Sequence, residues 1–124
     1  MATLSVTDRG AGVVLSTAQT GNADSTNTAE RGQFSGRSGA IVVTSTVGAT
    51  PTVTVNILGS VDGTNFFNLP YALVATPSTF VVAAITITTA VATTYLLQVD
   101  QPWRYVKLNY SANTNVTCTA TAFV

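Results

Sequence analysis

The strongest constraint on this chain is an alternation. Thr52, Thr54 and Asn56 interleave with Val53, Val55 and Ile57, and the run leads into Asp62-Gly63. A period of two puts one set of side chains on each face of an extended strand. Asp-Gly then supplies the positive φ that a tight turn between antiparallel strands requires. The same period returns where Val106, Leu108 and Tyr110 alternate with Tyr105, Lys107 and Asn109. It returns again where Val116, Cys118, Ala120 and Ala122 alternate with Thr117, Thr119, Thr121 and Phe123. Thr and Val are β-branched and favour strands. Helices take Glu and Lys on their exposed faces, and here Glu30 is the only Glu and Lys107 the only Lys. A helical bundle is excluded on that ground.

Shorter runs complete the pattern. Leu4 and Val6 read as a first strand and Val13-Val14-Leu15 as a second apolar run. Ala40 to Val47 reads as a strand ending in a turn at Gly48-Ala49-Thr50-Pro51. Phe66 to Leu69 returns from the Asp62-Gly63 turn and stops at Pro70. Thr79 to Thr89 is expected as a strand with Val81, Ala83, Ile85 and Ile87 on one face, and Tyr95, Leu97 and Val99 mark another. Seven to nine strands spaced about ten residues apart predict an all-β chain, an antiparallel β-sandwich of jelly-roll-like or immunoglobulin-like type. A length of 124 residues suits one domain. Within it, residues 1–39 read as an N-terminal segment of short strands with a polar arm, and residues 40–124 as the sandwich body.

The arm, Thr20 to Gly39, is rich in Gly, Asn and Ser. A polar loop of this length is expected to be functional or ordered by a partner. Its one large apolar residue, Phe34, either folds back onto the domain core or anchors the arm on a neighbouring subunit. Arg31 and Arg37 flank it as candidate contact residues.

Composition excludes several functions. Histidine is absent, which removes the commonest general base and metal ligand. Of five carboxylates, Asp62 and Asp100 could meet, but both stand in turn contexts where Asp caps local backbone. Cys118, the single cysteine, falls on the apolar face of the last strand and reads as a small buried hydrophobe. No phosphate-binding glycine motif occurs. No catalytic residue, metal ligand or cofactor is expected, and the chain reads as a non-enzyme. The basic residues Arg9, Arg31, Arg37, Arg104 and Lys107 are scattered in a chain of zero net charge, which speaks against nucleic acid. No apolar run is long enough to cross a bilayer, and Met1-Ala2-Thr3-Leu4 lacks signal-peptide character. Synthesis in the cytoplasm, with no export by that route, is the expectation. Charged residues make up only 8%. An uncharged, Thr-rich surface with almost no Lys to block strand edges points to a chain whose faces are covered by neighbours.

Trp103 and Tyr105 share one parity, opposite to Val106, Leu108 and Tyr110. With the latter as core, Trp103 and Tyr105 are partly exposed and can anchor an interface or stack on a sugar. Sheet curvature or the long loop covering them is the alternative.

The order of these elements resembles a family. Ala-Ile-Val-Val-Thr precedes Thr-Pro-Thr-Val-Thr-Val-Asn-Ile-Leu-Gly-Ser-Val-Asp-Gly-Thr-Asn-Phe, and an Arg-Tyr-Val-Lys-Leu strand and a Thr-rich terminal strand follow. This pattern is similar to small head structural proteins of tailed bacteriophages, with their Ser-x-Asp-Gly-Thr-x-aromatic hairpin and Arg-Tyr-Val-Arg/Lys strand. It covers Ala40 to the C-terminus, about two-thirds of the chain. The resemblance implies a capsid decoration, or cement, protein on the virion surface, with the major capsid protein and copies of itself, as a homotrimer, for partners. A glycan-binding head or tail fibre module is the alternative it leaves.

Overall fold

The computed structural model describes residues 2–5, 12–31, 39–98 and 102–124. They form nine strands: β1 (Ala2–Ser5), β2 (Val13–Gln19), β3 (Asn27–Glu30), β4 (Gly39–Ser60), β5 (Phe66–Asn68), β6 (Tyr71–Leu73), β7 (Ile85–Ile87), β8 (Ala92–Leu97) and β9 (Tyr105–Phe123). All pairings are antiparallel except β1 with β3. The all-β, sandwich-like architecture expected from the alternation is the architecture found.

Two long strands organise it. β4 has 22 residues and β9 has 19, where strands of about five or six are usual. They pair along their whole length, from Ala40 opposite Phe123 to Ser60 opposite Tyr105. Register shifts fall between Val47 and Thr54, the middle of the ribbon. Each strand therefore serves two leaves. In the C-terminal leaf, the first half of β4 and the second half of β9 lie between β8 and β2, with β6 beyond β8. In the hairpin leaf, the second half of β4 and the first half of β9 lie between β5 and β7 on one side and β3 on the other, with β1 beyond β3.

The turn expected at Gly48-Ala49-Thr50-Pro51 is thus a bulged bend inside one strand. Left-handed backbone at Thr50, Ala112 and Asn115 absorbs it (φ 45°, 51° and 55°), as bulges do when they bend a strand. Asn115 also donates from Nδ2 to the Ala49 carbonyl at 2.7 Å, and Asn113 closes its own loop through both bonds to the Val116 backbone. Pairing partners on both strands keep the segment in the sheet, which the Gly and Pro composition alone does not reveal.

The inward residues of both leaves share one core. Ile41, Val43, Tyr95, Val116, Cys118 and Ala120 come from the C-terminal leaf, and Val53, Val55, Ile87, Val106, Leu108 and Tyr110 from the hairpin leaf. The buried parity is odd along β4 and even along β9 on both sides of the bend. A single polar link crosses this core between described side chains of the two leaves, Ser16 Oγ to Tyr110 Oη at 2.6 Å. Burial pushes the Tyr110 hydroxyl up to about 12 and keeps it protonated. The only cysteine, Cys118, is buried as expected, and burial raises its thiol.

Two expectations are corrected. The segment Thr20 to Gly39 is not an arm over its first half. Ala23, Asp24 and Ser25 bond to β9, and β3 pairs with it. Ala29 is fully buried, and Val13 and Leu15 of β2 join it in the core. The polar composition hid this because the segment lies along one edge of β9 and buries few side chains. Residues 32–38, with Phe34 and Arg37, lie outside the described residues. The strand expected over Thr79 to Thr89 is also shorter. Tyr71 and Val81 exchange two backbone bonds, and a turn links Leu73, Thr76 and Thr79. The chain then crosses from β6 in one leaf to β7 in the other, and only Ile85–Ile87 pairs as a strand. Val81 and Val82 are exposed.

Candidate interaction surface

Of the residues singled out as contacts, the described ones, Arg31, Trp103 and Tyr105, converge at the start of β9; Phe34 and Arg37 lie outside the described residues. Trp103 is 2% exposed and is not the exposed platform that its parity predicted. Strand β9 begins at Tyr105, so the alternation does not extend back to residue 103. Its Nε1 donates to the Gln98 carbonyl at 3.1 Å. Gly39 backs onto the ring, with 3.4 Å between the site of an added Cβ and the indole edge. The Arg31 guanidinium lies 3.7 Å from the ring centroid, a cation–π stack, and burial lowers the Arg31 pKa. Trp103 is a plug closing one end of the core, with Arg31 stacked on it.

Tyr105 stays half-exposed, as parity predicted. Its ring lies against Gly63, where a Cβ would sit 3.4 Å from it, and the Arg104 guanidinium is 5.6 Å from its centroid. Arg104 in turn donates from Nε and an Nη to one Glu30 oxygen at 3.2 and 2.8 Å. That pairing raises the Arg104 pKa. The structure brings Arg31, Trp103 and Tyr105 to one end of the sandwich.

A second polar cluster lies further along β9. Lys107 Nζ donates to Asp24 at 2.8 Å and Asn109 Nδ2 to its other oxygen at 2.9 Å. The hydrogen bond from Lys107, then that from Asn109, lowers the Asp24 pKa. The Lys107 ammonium also sits 3.9 Å from the Phe66 ring centroid. This network pins residues 24–25 to β9, helped by Ser25 Oγ, which accepts from the Leu108 backbone.

The Asp62 loop is a turn. Asp62 accepts from the backbones of Asn65 and Thr64 and from the side chains of Asn65 and Ser60 at 2.8–2.9 Å. Those donors, the Asn65 backbone first, hold its carboxyl well below the ordinary range. Gly63 takes φ +80°. Each described carboxylate, Asp24, Glu30 and Asp62, is engaged by a basic group or by its own loop. Asp100, read from the sequence as a turn residue like Asp62, lies outside the described residues. Among the described residues no group of three His, Cys, Asp or Glu could hold a metal. An open groove of about 450 Å³ lies at the bend, lined by Thr20, Thr46, Gly48, Asn113 and Asn115 among others. The two asparagine amides there are spent on backbone.

What sequence reasoning missed is a face. The outward side chains of the C-terminal leaf are Val14 on β2, Thr119, Thr121 and Phe123 on β9, Ala40, Val42 and Thr44 on β4, and Thr94 and Leu96 on β8. None is charged. A row runs across the leaf from Val14 through Thr121 and Val42 to Thr94. The six described charged residues, Asp24, Glu30, Arg31, Asp62, Arg104 and Lys107, all sit on or next to the hairpin leaf; the other four, Asp8, Arg9, Arg37 and Asp100, lie outside the described residues. The signal was present in the sequence as a charge-free run from Gly63 to Gln98, but only the sheet order gathers it with β2 and the end of β9.

No protein-family model matches this chain, and no curated protein matches it either.

Proposed function

We propose that the protein is a virion structural component, a capsid decoration protein that binds the outer capsid surface and stabilises the shell by bridging major capsid subunits. The observation that carries the structural-component half of this reading is the lack of charge among the described outward side chains of the C-terminal leaf. A free surface of a soluble domain normally mixes both charge signs over about a quarter to a third of its residues. Outward side chains on four strands without one charge among those described suit a chain that works inside an assembly. The capsid half rests on the sequence resemblance, whose Ser-x-Asp-Gly-Thr-x-aromatic hairpin is here a tightly bonded turn packed against Tyr105. In this reading the chain is not an enzyme, needs no cofactor, and contacts neither nucleic acid nor membrane. Its site of action is the virion surface after synthesis in the host cytoplasm. Binding would sum several modest contacts from an oligomer, a homotrimer by the resemblance, through avidity. Arg31, Tyr105 and the segment carrying Phe34 and Arg37 are the contacts on the capsid side.

The glycan-binding alternative used Trp103 and Tyr105 together as stacking platforms. With Trp103 buried under Arg31, that pair offers a sugar one ring at most, and no other observation favours it.

The test is sedimentation with expanded shells that lack the protein. Binding at a fixed ratio to the major capsid subunit is expected, with a raised shell rupture temperature and reduced occupancy for Tyr105→Ala. Shells that pellet without the protein at saturating concentration reject the reading. Removing residues 4–39 is not a usable test, because β2 and β3 belong to the core.

A further inference from the structure

We infer that Asp62–Gly63 is a covalent modification site, the bond at which this chain converts to isoaspartate, and that the turn around it blocks the conversion until the chain unfolds. The inference goes beyond the capsid reading and needs no partner.

The reaction needs an aspartyl carboxyl and a following backbone nitrogen that can reach it. Glycine is the most permissive residue to follow, because no Cβ hinders the approach. Asp62-Gly63 is the one Asp-Gly step in the sequence, and no Asn-Gly step occurs. Residues 61–65 are exposed, so water, the sole co-reactant, has access. The Gly63 nitrogen bonds to Asp62 Cγ and gives up its proton, and the carboxyl hydroxyl leaves as water, closing a five-membered succinimide. Water then adds to one ring carbonyl. Addition at Cγ restores aspartate. Addition at the Asp62 main-chain carbonyl breaks the original peptide bond and leaves isoaspartate, with one extra methylene in the main chain.

The fold withholds both reacting groups. The Gly63 nitrogen donates to Ser60 Oγ at 2.9 Å. The Asp62 carboxylate accepts from Ser60 Oγ at 2.9 Å and from the Thr64 and Asn65 backbones and Asn65 Nδ2 at 2.8 Å. Those bonds aim it at the amides of residues 64 and 65 rather than that of residue 63. They also hold the carboxyl ionised, and an ionised carboxylate has no hydroxyl to lose. Each unit by which its pKa falls removes about tenfold of the neutral acid at a given pH. Gly63 is fixed at φ +80°, and the Tyr105 ring packs 3.4 Å from the site of its added Cβ. The lock is tied to the fold through Ser60, which is fully buried and held in the sheet opposite both Tyr105 and Phe66.

The experiment incubates the full chain at neutral pH, folded in buffer and unfolded in urea. Isoaspartate is located by electron-transfer fragmentation of chymotryptic peptides, residue 62 falling in Gly59–Phe66. Folded wild type is expected to convert at least about tenfold more slowly than the unfolded chain, with residue 62 the fastest site once unfolded. Ser60→Ala frees the Gly63 nitrogen and removes one donor to Asp62, and is expected to speed conversion of the folded chain at least about threefold. Asn65→Ala removes the Nδ2 donor and is expected to speed it in the same direction. Asn65 is exposed, so its variant folds even if Ser60→Ala does not. Ser45→Ala deletes a buried hydroxyl in the C-terminal leaf, bonded to the backbone of Thr89 and Val91, and is expected to convert like wild type. Equal rates in folded and unfolded wild type overturn the inference. So does faster isoaspartate formation at another residue of the unfolded chain, a Ser45→Ala rate that matches Ser60→Ala, or wild-type rates in every folded variant of the turn.

Discussion

On the hairpin leaf, the outward side chains of β4 and β9 include Asn56, Tyr105, Lys107 and Asn109. On the C-terminal leaf, the outward side chains of the same two strands are Ala40, Val42, Thr44, Thr119, Thr121 and Phe123. One ribbon with one buried parity thus presents two unlike surfaces. The difference lies in what each leaf has to hold. The hairpin leaf must fix residues 24–31, a polar segment with few apolar side chains, and does so with Lys107–Asp24, Asn109–Asp24 and Arg104–Glu30. The C-terminal leaf carries β2 and β8, whose own apolar residues reach the core, and the clamp described there is uncharged, Ser45 Oγ bonded to the backbone of Thr89 and Val91. Polar groups on the first face hold the fold together. The described side chains of the second face carry no charge.

The largest effect tests what the leaves share. Leu108 is fully buried in the common core, so Leu108→Ala should cost about 3 kcal/mol in urea unfolding, with both leaves lost in one transition. Separate transitions by tryptophan fluorescence at Trp103 and by Cys118 labelling would break the picture of one core. Cys118 itself should resist thiol reagents in the native state and react once unfolded.

Next comes the clamp of the hairpin leaf. Asp24→Ala removes the partner of Lys107, whose side chain is only 11% exposed. About 1 kcal/mol of destabilisation is expected after allowing for the exposure of Asp24. The sign with pH follows from the lowered carboxyl. Asp24 and Asp62 both have folded pKa values below their unfolded ones. Their contribution is present above the unfolded value, near pH 4, and is lost as pH falls through the folded values. Wild type should therefore lose melting temperature on acidification below about pH 4, and an Asp24→Asn, Asp62→Asn double variant should lose less over the same interval. An equal loss in both would remove these carboxylates as the cause.

The bend between the leaves should be improvable. Thr50 is β-branched and sits at φ 45°, a backbone region that disfavours it. Thr50→Asn should gain up to about 1 kcal/mol, read as a higher urea midpoint at unchanged slope. A loss instead would mean that the Thr50 side chain supports the bend. The smallest effect belongs to the Arg104–Glu30 pair, whose arginine side chain is 62% exposed. Glu30→Gln should leave the melting temperature within error of wild type, while a clear drop would promote this pair to a structural clamp like that of Lys107.

Much of the fold was legible in the sequence. Val53, Val55 and Ile57, Val106, Leu108 and Tyr110, and Val116, Cys118, Ala120 and Ala122 are all buried where alternation placed them, because a period of two is a local property that survives any strand order. The Asp62 turn was equally local, since its partners lie within three residues. Errors arose where distant pairing decided the outcome. Gly48 to Pro51 carried every turn residue, yet β9 held the segment in the sheet. Trp103 was given a face by counting back from a strand that had not begun. Asp24 and Lys107 stand 83 positions apart, and no spacing rule joins them.

The sequence by itself determined which residues of the long alternating runs are core, that the chain is all-β, and where the Asp62 turn lies, because these depend on side-chain period and local backbone bonding. The tertiary structure alone decided that two pairs of short strands are two long ones, that Trp103 is a plug, and that the uncharged residues form one continuous face. Those outcomes depend on which strands lie side by side, and the hydrogen bonds that choose neighbours are made by backbone groups common to every residue.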